Sequence, residues 1–176
     1  MPKWWSESTK RESQVRVALA LSRVGLGERG FNNMLFDHYR SLSPTAQAEL
    51  MEAIARTSGT RGSRVERLMT QIEGQLHVEA STAVVKNDSP SSWNGQMSAT
   101  AAALSAIMVA KPDHPLAGRL AKGLMHARQK GRWENTYTTS KSLMALRDYT
   151  AVHETADATA NVSVELNGDS LIKEAL

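Results

Sequence analysis

The side chains that most often do chemistry in proteins are scattered along this sequence. The histidines are His38, His77, His114, His126 and His153, and no two of them have the His-Glu-x-x-His or i, i+4 spacing that places two metal ligands on one helix face. The chain has no cysteine, which excludes a disulfide framework, a cysteine-based metal site and a cysteine nucleophile. We therefore predict no metal site.

The acidic residues likewise form no recognisable catalytic pattern. Asp113, Asp148, Asp157 and Asp169 stand apart from one another, and the chain contains neither a glycine-rich phosphate loop nor a nucleophile elbow. Without a positioned nucleophile or an acid–base pair, no reaction can be assigned. We predict no catalytic residue, no cofactor-binding residue and no cofactor, and we expect that the chain is not an enzyme.

Four arginines, Arg56, Arg61, Arg64 and Arg67, cluster around one loop and the helix that follows it. A nucleic-acid-binding surface is usually broader and has aromatic residues between the basic ones. This chain has a net charge of only +3 and is 5% aromatic. We interpret the arginines as part of a solvated loop and expect no nucleic acid partner.

The composition indicates a helical domain with a core of its own. The 176 residues are 41% hydrophobic, and alanine, leucine and methionine dominate the apolar set, which favours helices over strands. No apolar run approaches the ~20 residues that span a bilayer, and the N-terminus lacks the apolar core of a signal peptide. If the chain comes from an exported parent, the export signal is expected outside this sequence.

Hydrophobic periodicity and capping residues predict seven helices. They cover roughly residues 9–24, 31–39, 44–58, 65–76, 98–110, 115–129 and 136–149. Ser43 is expected to cap the third helix, with Pro44 at its first position. On that helix Glu49, Glu52 and Arg56 are expected at the surface.

Helices of two kinds alternate along the chain. Residues 99–109 are apolar nearly all round, which predicts a helix buried on several sides, whereas residues 116–129 form an amphipathic helix that is expected outside. The predicted inward positions of the first and last helices are Val15, Val17, Ala18, Leu19, Leu21, Val24, Leu143, Leu146 and Tyr149. The alternation predicts a two-layer array of helical hairpins.

Two segments favour strands. Residues 77–86 look extended, which predicts a short strand or hairpin on an excursion from the helical body. Near the C-terminus Val162, Val164 and Leu166 alternate with polar residues before Asn167-Gly168, a strong hairpin signal. We predict that residues 1–153 form the helical domain and that residues 154–176 form a linker and the start of a following β domain.

Two further segments, within residues 93–149, are more specific than the rest of the chain. Their most distinctive residues are Trp93, Asn94, Gly131, Trp133, Asn135 and Thr136. In order and spacing these segments resemble the last helices of the thioester domain of bacterial alpha-2-macroglobulins. In that family a Trp-containing segment precedes an alanine-rich helix, and a Gly-x-Trp-x-Asn-Thr sequence precedes a later inner helix.

The second of these segments also has a physical interpretation of its own. Gly131 can adopt the positive φ that ends an outer helix. Trp133 then spans the gap to the next hairpin and buries a large ring with one N–H group to satisfy. Asn135 or Thr136 is expected to cap the inner helix that follows.

The resemblance implies a mainly α fold, a partial α/α toroid of antiparallel helical hairpins with a short β excursion and a C-terminal β-hairpin. It also implies a function: a non-enzymatic scaffold part of a broad-spectrum protease inhibitor that traps proteases. The family forms its thioester through a Cys-x-Glu-Gln sequence, which this cysteine-free chain does not contain. The resemblance then implies either that the element lies upstream in the parent, the favoured interpretation, or that the parent belongs to a branch without it. The expected partners are target proteases, reached through the full-length parent, and other domains of that parent. A periplasmic or extracellular location is expected, and a membrane anchor on the parent is left open.

Two alternatives remain open at this point. Gln129-x-Gly131-x-Trp133 is also similar to the repeat motif of terpene cyclases, which are α/α-toroid enzymes, although no cluster of acidic residues accompanies it here. The third hypothesis is a helical-repeat interaction module of unrelated ancestry.

Overall fold

The computed structural model describes residues 6–87, 95–153, 161–166 and 169–175, and within them the chain is mainly helical, as predicted. The helices and strands are α1 (Glu7–Arg23), α2 (Arg29–Phe36), α3 (Pro44–Ser58), α4 (Ser63–Gly74), β1 (Leu76–Val78), β2 (Ala83–Val85), α5 (Gln96–Ala110), α6 (Ala117–His126), α7 (Thr136–His153), β3 (Asn161–Leu166) and β4 (Asp169–Ala175). A short 3₁₀ helix, Tyr39–Ser41, lies between α2 and α3.

The helices form two layers. The odd-numbered helices pack on one another in chain order, α1 on α3, α3 on α5 and α5 on α7, and we call these four the inner layer. The even-numbered helices α2, α4 and α6 pack against inner helices and make the outer layer. Each consecutive pair is therefore a hairpin with one inner and one outer helix, which is the predicted alternation.

The two kinds of helix differ in burial as expected. On α5 the side chains of Ala102, Leu104 and Ile107 are all buried, because the helix lies between α3 and α7 and beneath α6. On α6 Leu120 and Leu124 are buried while the polar side chains on the opposite face are exposed. Burial on one stripe for α6 and all round for α5 follows from the position of each helix in the two layers.

Capping residues delimit several of these helices. The hydroxyl of Ser43 accepts a hydrogen bond from the backbone N–H of Ala46, and Pro44 is the first residue of α3, as the sequence predicts. Gly59 ends the same helix with a φ of 90°, a conformation that disfavours side chains.

The predicted short hairpin is present and packs on the helical body. Strands β1 and β2 are antiparallel, with Leu76 opposite Val85 and Val78 opposite Ala83. Ala83 and Val85 are buried, and β2 contacts both α5 and α6. The segment therefore covers the end of one inner helix and one outer helix.

The C-terminal hairpin is also present. Strands β3 and β4 pair antiparallel, with an irregularity between Val164 and Glu165. The predicted turn residues Asn167-Gly168 and the predicted linker lie outside the described residues. Within the described part of the chain, no helix combines the length and apolarity that crossing a bilayer requires.

Some predicted inward positions are wrong. Leu143 is 55% exposed and Val17 is 54% exposed, and Val24 is exposed as well. On α7 Leu146 and Tyr149 pack against the core as predicted, while the fully buried residues are Thr138, Ser142 and Ala145. Inner helices approach one another closely, and small side chains fit that contact better than leucine does.

The charged residues of α3 are a second correction. Glu49 and Glu52 were expected at the surface, but they are 3% and 2% exposed. Helix α3 lies between α1 and α5 and also contacts α2 and α4, so nearly all of its middle turns are buried. Its carboxylates are buried because of this position, and they are tolerated because cations from neighbouring helices reach them.

Candidate functional site

The segment that joins α6 to α7 contains most of the distinctive motif. Gln129 and Arg132 form an isolated antiparallel bridge, with a hydrogen bond in each direction between their backbones. Lys130 and Gly131, between them, have φ angles of 48° and 83°. Two consecutive positive φ values in a two-residue loop define a type I′ turn. Gly131 thus adopts the positive φ that was predicted, but in this turn rather than at the end of α6, which is His126.

Trp133 follows the turn and is buried, with only 4% of its surface exposed. Its indole Nε1–H donates a 2.8 Å hydrogen bond to the carbonyl oxygen of Leu124 on α6. Its backbone N–H donates to the hydroxyl of Thr139 on α7 at 3.3 Å. One residue therefore links an outer helix to the next inner helix through its ring, its indole nitrogen and its backbone.

Asn135 begins α7. Its side-chain oxygen accepts a 2.8 Å hydrogen bond from the backbone N–H of Thr138, and its carbonyl accepts from the N–H of Thr139. These are the contacts of an N-cap, so Asn135 caps the helix and Thr136 is its first residue. The remaining motif residues, Trp93 and Asn94, lie outside the described residues.

A second arrangement, which the sequence analysis did not assign, lies among the inner helices. Glu52 on α3 accepts hydrogen bonds from Arg23 on α1, with both of its oxygens at 2.9 Å, and from Arg56 one turn further along α3 at 2.8 Å. Glu49, one turn earlier, pairs with Lys141 on α7. We call these five residues the inner cluster.

The contact between Lys141 and Glu49 constrains the shape of the inner layer. Helix α5 lies between α3 and α7, so the two side chains must meet across it. Ala101, Ala102 and Ser105 of α5 line the cavity beneath them, and these side chains are small enough to leave the path open. The inner cluster therefore links α3 to α7 over the face of α5 that presents these small side chains.

The electrostatics of the inner cluster keep the Arg23 guanidinium charged. The hydrogen bond to Glu52 is the main cause that raises the pKa of Arg23, and burial opposes it. Arg23 therefore stays protonated over all ordinary pH. Since each carboxylate accepts from at least one cation, the cluster ties α1, α3 and α7 together.

The small cavity beside the inner cluster leaves no room for these side chains to act on a substrate. The cavity that the cluster lines measures about 20 Å³, which is room for one water molecule but not for a substrate. Beside this cavity, the second carboxylate oxygen of Glu49 is buried and accepts no hydrogen bond from the described protein atoms. We interpret the cluster as an internal tie between helices.

The histidines have separate environments. His114 is buried: its Nε2 lies 2.8 Å from a carboxylate oxygen of Glu73 on α4, and its Nδ1 accepts from the backbone N–H of Leu116 at the start of α6. His114 thus joins α4 to α6, and the other four histidines are exposed. Across the described residues, no group of three His, Asp or Glu side chains is placed to hold a metal ion.

The inner cluster had one signal in the sequence. Glu49, Glu52 and Arg56 follow the i, i+3, i+7 spacing and so share one helix face. A charged stripe of this kind usually faces solvent, and only the three-dimensional position of α3 reverses that expectation.

Comparisons of the chain with family models, with curated proteins and with solved structures give no match.

Proposed function

We propose that this chain is a non-enzymatic scaffold part of the thioester domain of an alpha-2-macroglobulin-like protease inhibitor. The observation that supports this most is the place of the Gly131-x-Trp133-x-Asn135-Thr136 sequence. It spans the connection from an outer helix to an inner one, and Trp133 bonds to both helices. In the resembled family the same sequence is expected to precede an inner helix of a two-layer toroid.

The side-chain contacts favour a structural role over a catalytic one. The buried charges of the inner cluster bond to one another, and their cavity holds no more than a water molecule. His114 bridges two outer helices in the same way. These groups fix the relative positions of helices, which is the task of a scaffold that shields or presents a reactive group located elsewhere.

In this proposal the parent traps a protease in two steps. Cleavage of a bait region lets the parent rearrange, and the exposed thioester then acylates the protease. This chain contributes the rigid helical layers against which that rearrangement takes place. The partners are target proteases and the other domains of the parent, and the location is the periplasm or the cell exterior.

The proposal is tested in the cells that make the protein. Antibodies raised against this chain should detect a polypeptide larger than 19.2 kDa in the periplasmic or secreted fraction. Addition of trypsin should convert part of it into a larger conjugate that survives denaturing electrophoresis, and pretreatment with methylamine should prevent this. Detection of the 19.2 kDa chain alone, or of a large parent that forms no methylamine-sensitive conjugate, would overturn the proposal.

A further inference from the structure

A groove lined by arginines runs beside α4, on the outer side of the molecule. Three neighbouring clefts form it, with volumes of about 470, 540 and 240 Å³. The first two share Tyr39, Arg40 and Arg67, and the second and third share Ser63. The clefts therefore adjoin one another, the first two along three shared residues and the third at Ser63 alone. We call the groove that they form the arginine groove; its four arginines are Arg29, Arg40, Arg64 and Arg67.

Two of these arginines are held in place by aromatic rings. The guanidinium of Arg64 lies 5.6 Å from the centre of the Phe36 ring, and that of Arg40 lies 5.6 Å from the centre of the Tyr39 ring. The two rings stack on each other, with centres 4.9 Å apart. Stacking orients a guanidinium without using its N–H groups. The Nε–H of Arg40 also donates a 3.2 Å hydrogen bond to the Tyr39 hydroxyl, so its terminal N–H groups are the ones left to bind an anion.

The groove is electrostatically unbalanced. Among the described residues, none of its four arginines forms an ion pair with a carboxylate, although Asp37 and Glu66 lie along the same clefts. Arg56, which the sequence placed in the same basic cluster, belongs to the inner cluster instead. The groove therefore takes only Arg64 and Arg67 from the basic cluster seen in the sequence, and Arg29 of α2 and Arg40 of the 3₁₀ helix complete it.

We propose that the arginine groove binds an extended acidic segment of a partner protein. Arginine pairs with carboxylates through two parallel N–H···O bonds, and four arginines spaced along a groove suit several carboxylates in succession. Single-stranded nucleic acid fits less well, because Arg40 and Arg64 already cover the ring faces on which bases would stack. The proposal is independent of the proposed function.

The proposal is tested by fluorescence anisotropy of a labelled poly-glutamate peptide, titrated with the full chain at low ionic strength. We expect saturable binding that weakens as salt is added. Arg67→Ala should weaken it about tenfold, as for loss of one charge-assisted pair. Arg40→Lys keeps the charge but loses the planar fork, so it should also weaken binding. The matched control is Arg119→Ala, an exposed arginine on α6, which should bind as the unmodified chain does.

Arg67 is the decisive position because it is exposed and lies over no aromatic ring of the described residues, so its loss should leave the fold intact. Thermal melts of each variant check this. The proposal falls if the peptide does not bind, or if Arg119→Ala weakens binding as much as Arg67→Ala does. It also falls if a single-stranded oligonucleotide or inorganic phosphate binds as tightly as the peptide.

Discussion

At the residue scale, Trp133 and Glu52 show two ways of burying a polar group. Trp133 has one donor, which the carbonyl of Leu124 satisfies inside the protein. Glu52 has two acceptor oxygens, and both accept from arginines that remain one-third exposed. Removal of Trp133 therefore opens the core, while removal of Glu52 leaves two cations that water can still reach.

Trp133→Ala should lower the free energy of unfolding by about 3–5 kcal/mol, the range for deletion of a large buried ring. Trp133→Phe keeps a buried aromatic ring but removes the indole N–H. The Leu124 carbonyl is then left without its donor, which costs about 1–3 kcal/mol. Arg132, the exposed residue next to Trp133, provides a control: Arg132→Ala should change the free energy of unfolding by no more than about 0.5 kcal/mol. Urea denaturation measures all three. A loss below about 1 kcal/mol for Trp133→Ala would contradict the packing described here.

Glu52→Ala should destabilise the fold by about 1–3 kcal/mol, a value already reduced because Arg23 and Arg56 are partly exposed. Arg23→Ala in the same background should then add little, since the bond that it made is gone. A double-mutant cycle in urea measures this coupling. Fully additive losses would show that the two side chains do not interact as the structure indicates.

At the element scale, α6 packs unusually close to β2. A Cβ atom added at Gly123 would lie 2.3 Å from the carbonyl oxygen of Ala83, so glycine is required there. Gly74, the last residue of α4, has open space around it. The same substitution should therefore have opposite effects at the two positions.

Gly123→Ala should destabilise the protein by about 1–3 kcal/mol, because backbone must move to admit the methyl group. Gly74→Ala should leave stability unchanged or raise it by up to about 1 kcal/mol, the difference in helix propensity. Thermal and urea melts of the two variants test this pair. Equal effects would mean that helix propensity, rather than the contact with β2, decides the outcome.

The turn between α6 and α7 offers another pair of substitutions with opposite expected effects on stability. Lys130 has a positive φ, which costs a non-glycine residue about 1–2 kcal/mol, and asparagine tolerates it better. Lys130→Asn creates an Asn-Gly turn and should stabilise the protein by about 0.5–1 kcal/mol. Gly131→Ala should destabilise it by about 1 kcal/mol through φ alone, since no atom crowds the site. The melting temperatures of the two variants should shift in opposite directions.

The elements were largely predictable from the sequence, and the faces of some were not. Periodicity and caps place all seven helices and both hairpins, because these signals are local. On α7 the prediction is wrong only for Leu143, since Leu146 and Tyr149 pack against the core and close packing selects Thr138, Ser142 and Ala145 for the buried positions. The burial of Glu49 and Glu52 was missed for a related reason: it depends on which helices surround α3, and no local pattern records that.

At the scale of the whole molecule, the inner layer is bordered by α1 and α7. Val17 and Val24 are exposed on or just after α1, and Leu143 and Val152 are exposed on α7. Stacked helical hairpins bury their apolar faces only against neighbours, so the outermost helices of such an array keep uncovered apolar surface. Under the proposed function, other parts of the parent would cover these borders.

The last prediction concerns the activity of the chain alone. Covalent trapping requires a thioester, and a thioester requires a cysteine, which this sequence lacks. Physical trapping requires a bait segment and a cage that closes around a protease. The chain is therefore expected neither to inhibit trypsin or elastase nor to incorporate radiolabelled methylamine. Cleavage of a large protein substrate and mass spectrometry of the mixture measure this. Stoichiometric inhibition, or a covalent adduct on this chain, would place the reactive part of the molecule here and contradict the scaffold role.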